Sequence, residues 1–353
     1  MIIQGMNASV LPACAPLQVL AGVYGAVHGA VHLPHLGVIR VTGADAASFL
    51  QGQLTQDVLT MAVGETRLAA FCSAKGRVQA TFQMLKQLDA EGQAEFLLLC
   101  SRDLAPATAK RLAMFVMRAK AKLSDASETL AVYGVAGDAI NSVAAYAHSE
   151  RPGSDISVNS WLTLTPVGGV ARALWITPAS VAPDLTLSNA GLQNAPIPGA
   201  TLVNAVPMTL SDWLWLEVMS GIARVTSATV DAFVPQMLNY ESLNGVNFKK
   251  GCYPGQEVVA RSQFRGTLKR RAYCVQSAVA LAAGDEVFGP ADAEQACGTV
   301  VLAAQVPGGP SAGFNAIVSM QVSAAASGGL TAKSAGGAAL ELLALPYVLL
   351  DDV

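Results

Sequence analysis

"FKKGCYPGQEVVAR", residues 248–261, separates a long segment of mixed helix and strand patterns from a C-terminal segment of short strands. Residues 253–256 (YPGQ) predict a β-turn, because proline supplies the φ angle of the second turn position and glycine accepts the positive φ of the third. Residues 256–264 predict a helix, in which Glu257 lies in the first turn and Arg261 follows one turn later. Cys252 is therefore expected on an exposed loop directly before a helix N-terminus.

The surroundings of Cys252 indicate a reactive thiol. Lys249 and Lys250 precede it and a predicted helix N-terminus follows it, and both features favour the thiolate, which is the reacting form. A buried structural cysteine is the common alternative for a single thiol. The four histidines lie far from Cys252 in sequence, so a Cys–His hydrolase is not indicated. We expect Cys252 to be a functional thiol.

The charges of the chain are unevenly distributed. The whole sequence has 22 basic and 25 acidic residues, but residues 249–271 hold seven of the basic residues and one acid, Glu257. The rest of the chain therefore has 15 basic and 24 acidic residues. This basic stretch predicts a site for an anion, since the local field matters more for binding than the net charge. A solvated basic surface is the alternative.

Composition limits the class of protein. The 353 residues suit two or three modules, and only 13% of them are charged, with a mean hydropathy of +0.42. No run reaches the roughly 18 apolar residues of a membrane-spanning helix. Residues 1–32 lack the basic start of a secretory signal, so we expect a poorly ordered leader on a cytoplasmic protein.

The cysteines and histidines do not predict a metal site. Six cysteines without a CxxC pair are typical of reduced thiols rather than of disulfides or structural zinc. His28, His32 and His35 have the spacing of ligands on a helix, but Gly29 and Pro34 interrupt that helix. We therefore expect no bound metal.

Hydrophobic periodicity predicts an α+β region followed by a small all-β module. Residues 33–245 contain strands interleaved with helices, including a hairpin at 67–86 with Lys75 and Arg77 at its turn. A helix is expected at 211–221, capped by Ser211, after an irregular proline-rich stretch at about 178–210. Residues 246–271 form the cysteine loop and its helix, and 272–353 have the short β runs of a barrel.

The segment "FVPQMLNYESLNGVNFKKGCYPGQEVVARSQFRGTLKRRAY" (233–273) closely resembles the signature region of the YgfZ family of folate-binding proteins. The family's Lys-Gly-Cys-Tyr-x-Gly-Gln-Glu motif falls on residues 250–257. Supporting matches are "VTGADAASFLQGQLTQDV" (41–58), "CSAKGRV" (72–78) and the terminal "LPYVL" (345–349). The resemblance runs from about residue 33 to the end of the chain.

The resemblance implies an aminomethyltransferase-like arrangement of three subdomains around a central folate opening, the last a β-barrel. It implies tetrahydrofolate, or a derivative, as the cofactor, and a role in supporting [4Fe–4S] client proteins. One such client is a radical enzyme that methylthiolates tRNA, so contact with tRNA is indirect. The residues that the resemblance and the basic patch nominate for the cofactor are Trp213, Leu36, Lys250, Tyr253, Gln256, Glu257, Arg261, Lys75 and Arg77.

Two positions depart from the family pattern. Leu36 stands where folate-binding members have a tryptophan, and Met219 stands where they have a glutamate. Glu217 is the nearby carboxylate that could replace the latter. Trp213, the second tryptophan position, would stack on the ligand, although a core aromatic is the alternative. The folate contacts are therefore expected to differ in part.

Two other functions are alternatives. The second hypothesis is a folate-dependent aminomethyltransferase-type enzyme. The related aminomethyltransferase places aspartates on the strand that corresponds to residues 76–81, but "GRVQAT" has no carboxylate for acid–base chemistry. Direct RNA binding by residues 249–271 is the third hypothesis, in which Tyr253, Phe264 and Tyr273 are the aromatic residues among the charges.

Overall fold

Two open β-sheets and a closed barrel carry the fold of the computed structural model, which describes residues 23–24, 27–89, 91–141, 144, 160–181, 208–264 and 268–350. The strands are β1 Gly29–His32, β2 Leu36–Thr42, β3 Thr66–Cys72, β4 Val78–Leu88, β5 Ala94–Ser101, β6 Lys122–Asp125, β7 Leu130–Ala136, β8 Ser160–Val167, β9 Val170–Pro178, β10 Arg270–Ser277, β11 Glu286–Phe288, β12 Gly298–Gln305, β13 Phe314–Gln321, β14 Leu330–Ala332 and β15 Ala339–Leu343. The α-helices are α1 Ala46–Gln51, α2 Ala105–Ala113, α3 Leu210–Met219, α4 Gln256–Phe264 and α5 Val322–Ser327, with 3₁₀ turns at Ala179–Val181, Ser227–Thr229, Pro235–Leu238 and Pro310–Ala312.

The five-stranded antiparallel sheet has the order β3-β4-β5-β2-β6. Successive residues of a strand point to opposite faces, and both faces of this sheet are buried. Phe82 and Leu98 pack on one face against Phe49 of α1 and Leu112 of α2. The opposite face faces the middle of the molecule, where it contributes apolar residues to the same cluster as α3.

The four-stranded sheet has the order β1-β7-β9-β8, and β1 pairs with β7 from Gly29↔Ala136 to His32↔Tyr133. β1 is therefore part of this sheet, although it precedes residue 33, where we expected the folate-binding region to start. Tyr24 also packs beside Trp215, with 4.8 Å between the ring centroids. Residues 1–22 and most of the expected irregular stretch, 182–207, lie outside the described residues.

The C-terminal segment forms the expected barrel. Its strands close in the order β10-β13-β12-β11-β14-β15, because β15 also pairs with β10. A register shift between Val300 and Leu302 marks an irregularity in β12, of the kind that bends a strand around a barrel. Tyr273, Val275 and Val318 lie in the buried cluster of this barrel. The prediction of a C-terminal β-barrel is confirmed, and one short helix, α5, lies between β13 and β14.

Helix α3 lies between the sheets and the barrel. It begins one residue earlier than expected, because Thr209 rather than Ser211 is its cap: the Thr209 hydroxyl accepts from the Asp212 amide at 3.1 Å, and the Asp212 carboxylate accepts from the Thr209 amide. The Trp215 Nε1–H donates to Asn315 Oδ1 of the barrel at 2.8 Å. Apolar residues occupy nearly all faces of α3. This pattern is typical of a core helix, which has neighbours on every side.

Within the described ranges, no helix is both long and apolar enough to cross a membrane.

Candidate functional site

A central cavity lies where the five-stranded sheet, the four-stranded sheet, α3 and the barrel meet. It contains about 630 Å³ of empty space, part of it open to solvent. Its wall is mostly apolar, with a few polar and charged groups directed into it. Residues that represent its sides are Leu36 of β2, Thr81 and Gln83 of β4, Arg172 of β9, Trp213 and Glu217 of α3, and Leu302 of β12.

Glu217 is the carboxylate of this wall, and three side chains converge on it. Its Oε1 lies 3.0 Å from His35 Nε2 and accepts from Trp213 Nε1 at 2.9 Å. Its Oε2 accepts from Arg224 Nη2 at 2.9 Å. Arg224 in turn donates through Nη1 to the Ser101 hydroxyl at 2.7 Å. Residues from β5, α3 and the loops after β1 and α3 thus hold one carboxylate in place.

The charge state of Glu217 follows from these contacts. Burial by itself would raise the pKa of the Glu217 carboxyl, but Arg224 and His35 outweigh that effect and hold the pKa far below its usual range. An opposite charge and donated hydrogen bonds both favour the ionised form. Glu217 is therefore an anion at neutral pH, in a wall that is otherwise poor in negative charge.

Arg172 is a second cation of the wall, and it is buried almost completely. Burial lowers the pKa of Arg172 to about 10, so the guanidinium remains charged at neutral pH. It donates to the Leu216 carbonyl at 3.2 Å and to the Thr165 carbonyl at 3.0 Å. The guanidinium lies 6.0 Å from the centre of the Trp213 ring, within the range of a cation–π contact.

Trp213 is fully buried and lines the cavity. Its ring packs on β7 at Gly134, where an added Cβ would lie 2.5 Å from Cε3 and 2.7 Å from Cε2. Only glycine leaves space for the indole face at that position. The bond to Glu217 fixes the other end of the side chain. Trp213 is thus both a core aromatic and a wall of the cavity, so the two interpretations from the sequence do not exclude each other.

The other nominated residues do not line the cavity; they lie on the signature loop, defined here as residues 248–256, on α4, or on the β3–β4 turn. The expected β-turn is confirmed: the Gln256 amide donates to the Tyr253 carbonyl at 3.2 Å, and Gly255 has φ +79°. Gly255 crosses the β3–β4 turn so closely that an added Cβ would lie 2.7 Å from the Gly76 backbone. The fold therefore brings the "CSAKG" turn and the signature loop into contact.

Within the signature loop, Lys250 points inward and Cys252 points outward. The Lys250 ammonium donates to the carbonyls of Gln51 and Leu54, and it lies 5.0 Å from the centre of the buried Tyr253 ring. Burial lowers the pKa of Lys250 to about 8, against the opposing effects of Asp57 and Cys252. Lys250 therefore holds the loop onto α1 and its following turn. Cys252 is exposed, as expected.

The remaining nominated side chains lie at the surface. Glu257 and Arg261 form the expected exposed pair along α4, 3.0 Å apart. Arg77 donates to the Ala232 carbonyl at 2.8 Å, and Lys75 is exposed on the hairpin turn. Arg261 lines a different groove, beside the barrel. Among the residues that the structure describes, no group of three or more His, Cys, Asp or Glu side chains could hold a metal ion.

Sequence reasoning missed most of the charged groups of the cavity. The sequence indicates His35 only as a candidate metal ligand, and no pattern in it marks Arg172 or Arg224. They come from three separate chain segments, and no local pattern connects them. One signal was present: Gln79, Thr81 and Gln83 alternate along β4, which places a polar row on one face of an otherwise apolar strand.

The fold is that of a glycine-cleavage aminomethyltransferase. The chain superposes on the crystal structure of aminomethyltransferase T of the glycine cleavage system from Bartonella henselae with a TM-score of 0.64, covering 96% of this chain and 91% of that one at 15% identity. The chain belongs to the YgfZ family: it is 31% identical over 248 residues to the tRNA-modifying protein YgfZ of Colwellia psychrerythraea. That match covers 70% of this chain and 71% of the relative. No family model matches the sequence.

Proposed function

We propose that this protein binds tetrahydrofolate, or a derivative of it, in the central cavity and supports [4Fe–4S] proteins, including enzymes that methylthiolate tRNA. The observation that carries the proposal is an ionised carboxylate, Glu217, beside the indole of Trp213 in the wall of a partly open cavity. The relationship to a tRNA-modifying protein and the aminomethyltransferase fold also support this proposal.

The wall of the cavity suits a reduced pterin in its chemistry. Ligand sites usually have mostly apolar walls with a few polar groups that orient the ligand. A pterin ring carries N–H donors along one edge and a carbonyl oxygen. A carboxylate offers about four acceptor positions, of which His35, Trp213 and Arg224 use three, so Glu217 has capacity for a ligand N–H. Arg172 supplies positive charge for the carbonyl oxygen.

We limit the proposed folate contacts to the cavity wall: Trp213, Leu36 and Glu217, with Arg172 and Arg224 beside them. Leu36 is aliphatic where relatives have a tryptophan, so Trp213 is the one tryptophan that lines the cavity among the described residues. Lys250 and Tyr253 instead stabilise the signature loop from inside. This division assigns the cofactor to the cavity and leaves the exposed loop for other contacts.

We propose that Cys252 contacts the [4Fe–4S] client protein and not the folate. Its loop is fastened by Lys250 on one side and by the Gly255–Gly76 crossing on the other, so the exposed thiol has a defined position. A thiol presented in this way is suited to contact a partner's cluster or a sulfur species. An aminomethyltransferase activity is less well supported, since β4 presents Thr81 and Gln83 to the cavity instead of carboxylates.

A binding titration tests the folate proposal. Tetrahydrofolate should quench tryptophan fluorescence with saturation in the micromolar range. Trp213→Phe keeps most of the packing and should reduce both the quenching and the affinity. Trp161→Phe is the matched control, because Trp161 packs with the separate cluster on the other side of the four-stranded sheet. Absence of saturable binding up to about 1 mM ligand would refute the proposal.

A further inference from the structure

A second groove lies outside the central cavity, between α4 and the end of the barrel where β10 begins and β13 ends. It contains about 1650 Å³ of empty space, part of it open to solvent. Val234, Met237 and Leu268 give it an apolar floor. Arg261, Lys269 and Arg270 are its charged groups, and the described residues that line it include no carboxylate.

The charge of this groove contrasts with that of the chain. The protein has a net charge of −3, yet three cations surround one open surface. Arg261 is paired with Glu257, but both side chains are well exposed, and such a pair is weak in water. A phosphate or carboxylate group could therefore replace Glu257 as its partner. The groove is suited to a ligand with several negative charges.

A buried amide in the groove points to a ligand that also carries hydrogen-bond donors. Gln236 lines the groove and is fully buried. Its Nε2 donates to the Val259 carbonyl at 2.7 Å, but within the described part of the chain its Oε1 has no hydrogen-bond partner. A buried acceptor without a partner is unfavourable. A hydroxyl group on an otherwise anionic ligand would satisfy it once a neighbouring side chain moves aside, because Gln236 is fully buried without the ligand.

One exposed aromatic side chain lies on α4, the helix that carries Arg261, outside the residues that line the groove. Phe264 follows Arg261 by three residues on α4, so the two lie on neighbouring parts of the same helix face. The Phe264 side chain is 53% exposed, and it meets Phe248 edge-on at 5.2 Å between centroids. Tyr253, within the basic stretch, and Tyr273, two residues after it, are buried. Phe264 is thus accessible for stacking.

We propose that this groove binds single-stranded RNA. The cations bind phosphates, Phe264 stacks on a base, and the Gln236 Oε1 accepts from a ribose 2′-hydroxyl. A polyglutamyl folate tail shares the negative charges, but it has no flat ring for Phe264 and no hydroxyl for Gln236. This proposal goes beyond the proposed function, in which contact with tRNA is indirect, and it does not depend on folate binding.

The test uses a fluorescently labelled 15-nucleotide single-stranded RNA, its DNA counterpart and a glutamate pentapeptide, with anisotropy measured from 50 to 200 mM salt. The groove variant is Lys269→Gln with Arg270→Gln. The matched control is Lys110→Gln with Lys122→Gln, which removes the same charge from exposed positions elsewhere. Circular dichroism and thermal melting confirm that both variants fold.

We expect the wild type to bind RNA more tightly than DNA. In wild type, log K falls as log salt rises. The groove variant removes two cations, so this negative slope should become shallower by about 1.4, since each phosphate contact on a single strand contributes about 0.7. Phe264→Leu should weaken binding roughly fivefold or more. Equal losses in groove and control variants, or equal affinities for RNA and DNA, would overturn the proposal. Binding of the pentapeptide without binding of RNA would also overturn it.

Discussion

Replacing Glu217 with glutamine keeps the size of the side chain and removes its charge. The amide has one oxygen for the two donors His35 and Trp213, and its NH₂ group would face Arg224, which is itself a donor. Arg224, with 17% of its side chain exposed, would lose its only carboxylate contact among the described ion pairs. Breaking a buried pair from one side typically destabilises by about 3–5 kcal/mol. We expect Glu217→Gln to lower the free energy of unfolding by about that amount at pH 7.

The same substitution should change the pH dependence of stability. The pKa of Glu217 is held below its unfolded value of 4.5, so its contribution is fully present above that pH and is lost as the pH falls further. The wild type should therefore lose stability below pH 4.5 more steeply than Glu217→Gln does. The difference between the two proteins should shrink as the solution becomes more acidic.

Urea unfolding at pH 7, 5, 4 and 3 measures both effects. The double variant Glu217→Gln with Arg224→Met should recover part of the loss, because it removes the uncompensated guanidinium as well. The reasoning would be refuted by a loss below about 1 kcal/mol at pH 7. Parallel pH profiles for wild type and Glu217→Gln between pH 6 and 3 would refute it as well.

Three further predictions concern the signature loop. Gly255→Ala should lower the free energy of unfolding by about 2–4 kcal/mol in urea, because a Cβ at φ +79° would meet the β3–β4 turn. The control is Gly251→Ala, which has open space around it and should change the free energy of unfolding by less than about 0.5 kcal/mol. Lys250 loses its proton at a lower pH in the folded state than in the unfolded state, so wild-type stability should rise between about pH 8 and 10.5. Lys250→Met should lack this rise; an equal rise in that variant would contradict the lowered pKa of Lys250. Cys252→Ala should change stability by less than about 0.5 kcal/mol yet abolish tRNA methylthiolation in a complemented deletion strain; full complementation would reduce Cys252 to a structural residue.

Local patterns in the sequence determined much of the architecture. The Pro254–Gly255 pair, the apolar alternation in β4 and the short strands after residue 270 each depend on neighbours along the chain, and each appears in the structure as expected. The family and the aminomethyltransferase-like fold also followed from the sequence, because the signature motif is long and specific. The exposed position of Cys252 followed from its turn and charged neighbours.

Only the tertiary structure decided how the site is built. His35, Ser101, Glu217 and Arg224 are separated by up to 189 positions, and their contacts depend on how the two sheets pack around α3. The direction of Lys250 was equally inaccessible: the sequence nominated it for the cofactor, but two carbonyls, at the end of α1 and in the turn after it, are its acceptors. The spacing of apolar residues along the sequence shows which face of a helix or strand is apolar, because that face is set by the residues of the element itself. It does not report which distant side chain lies opposite, because that depends on the packing of the whole chain.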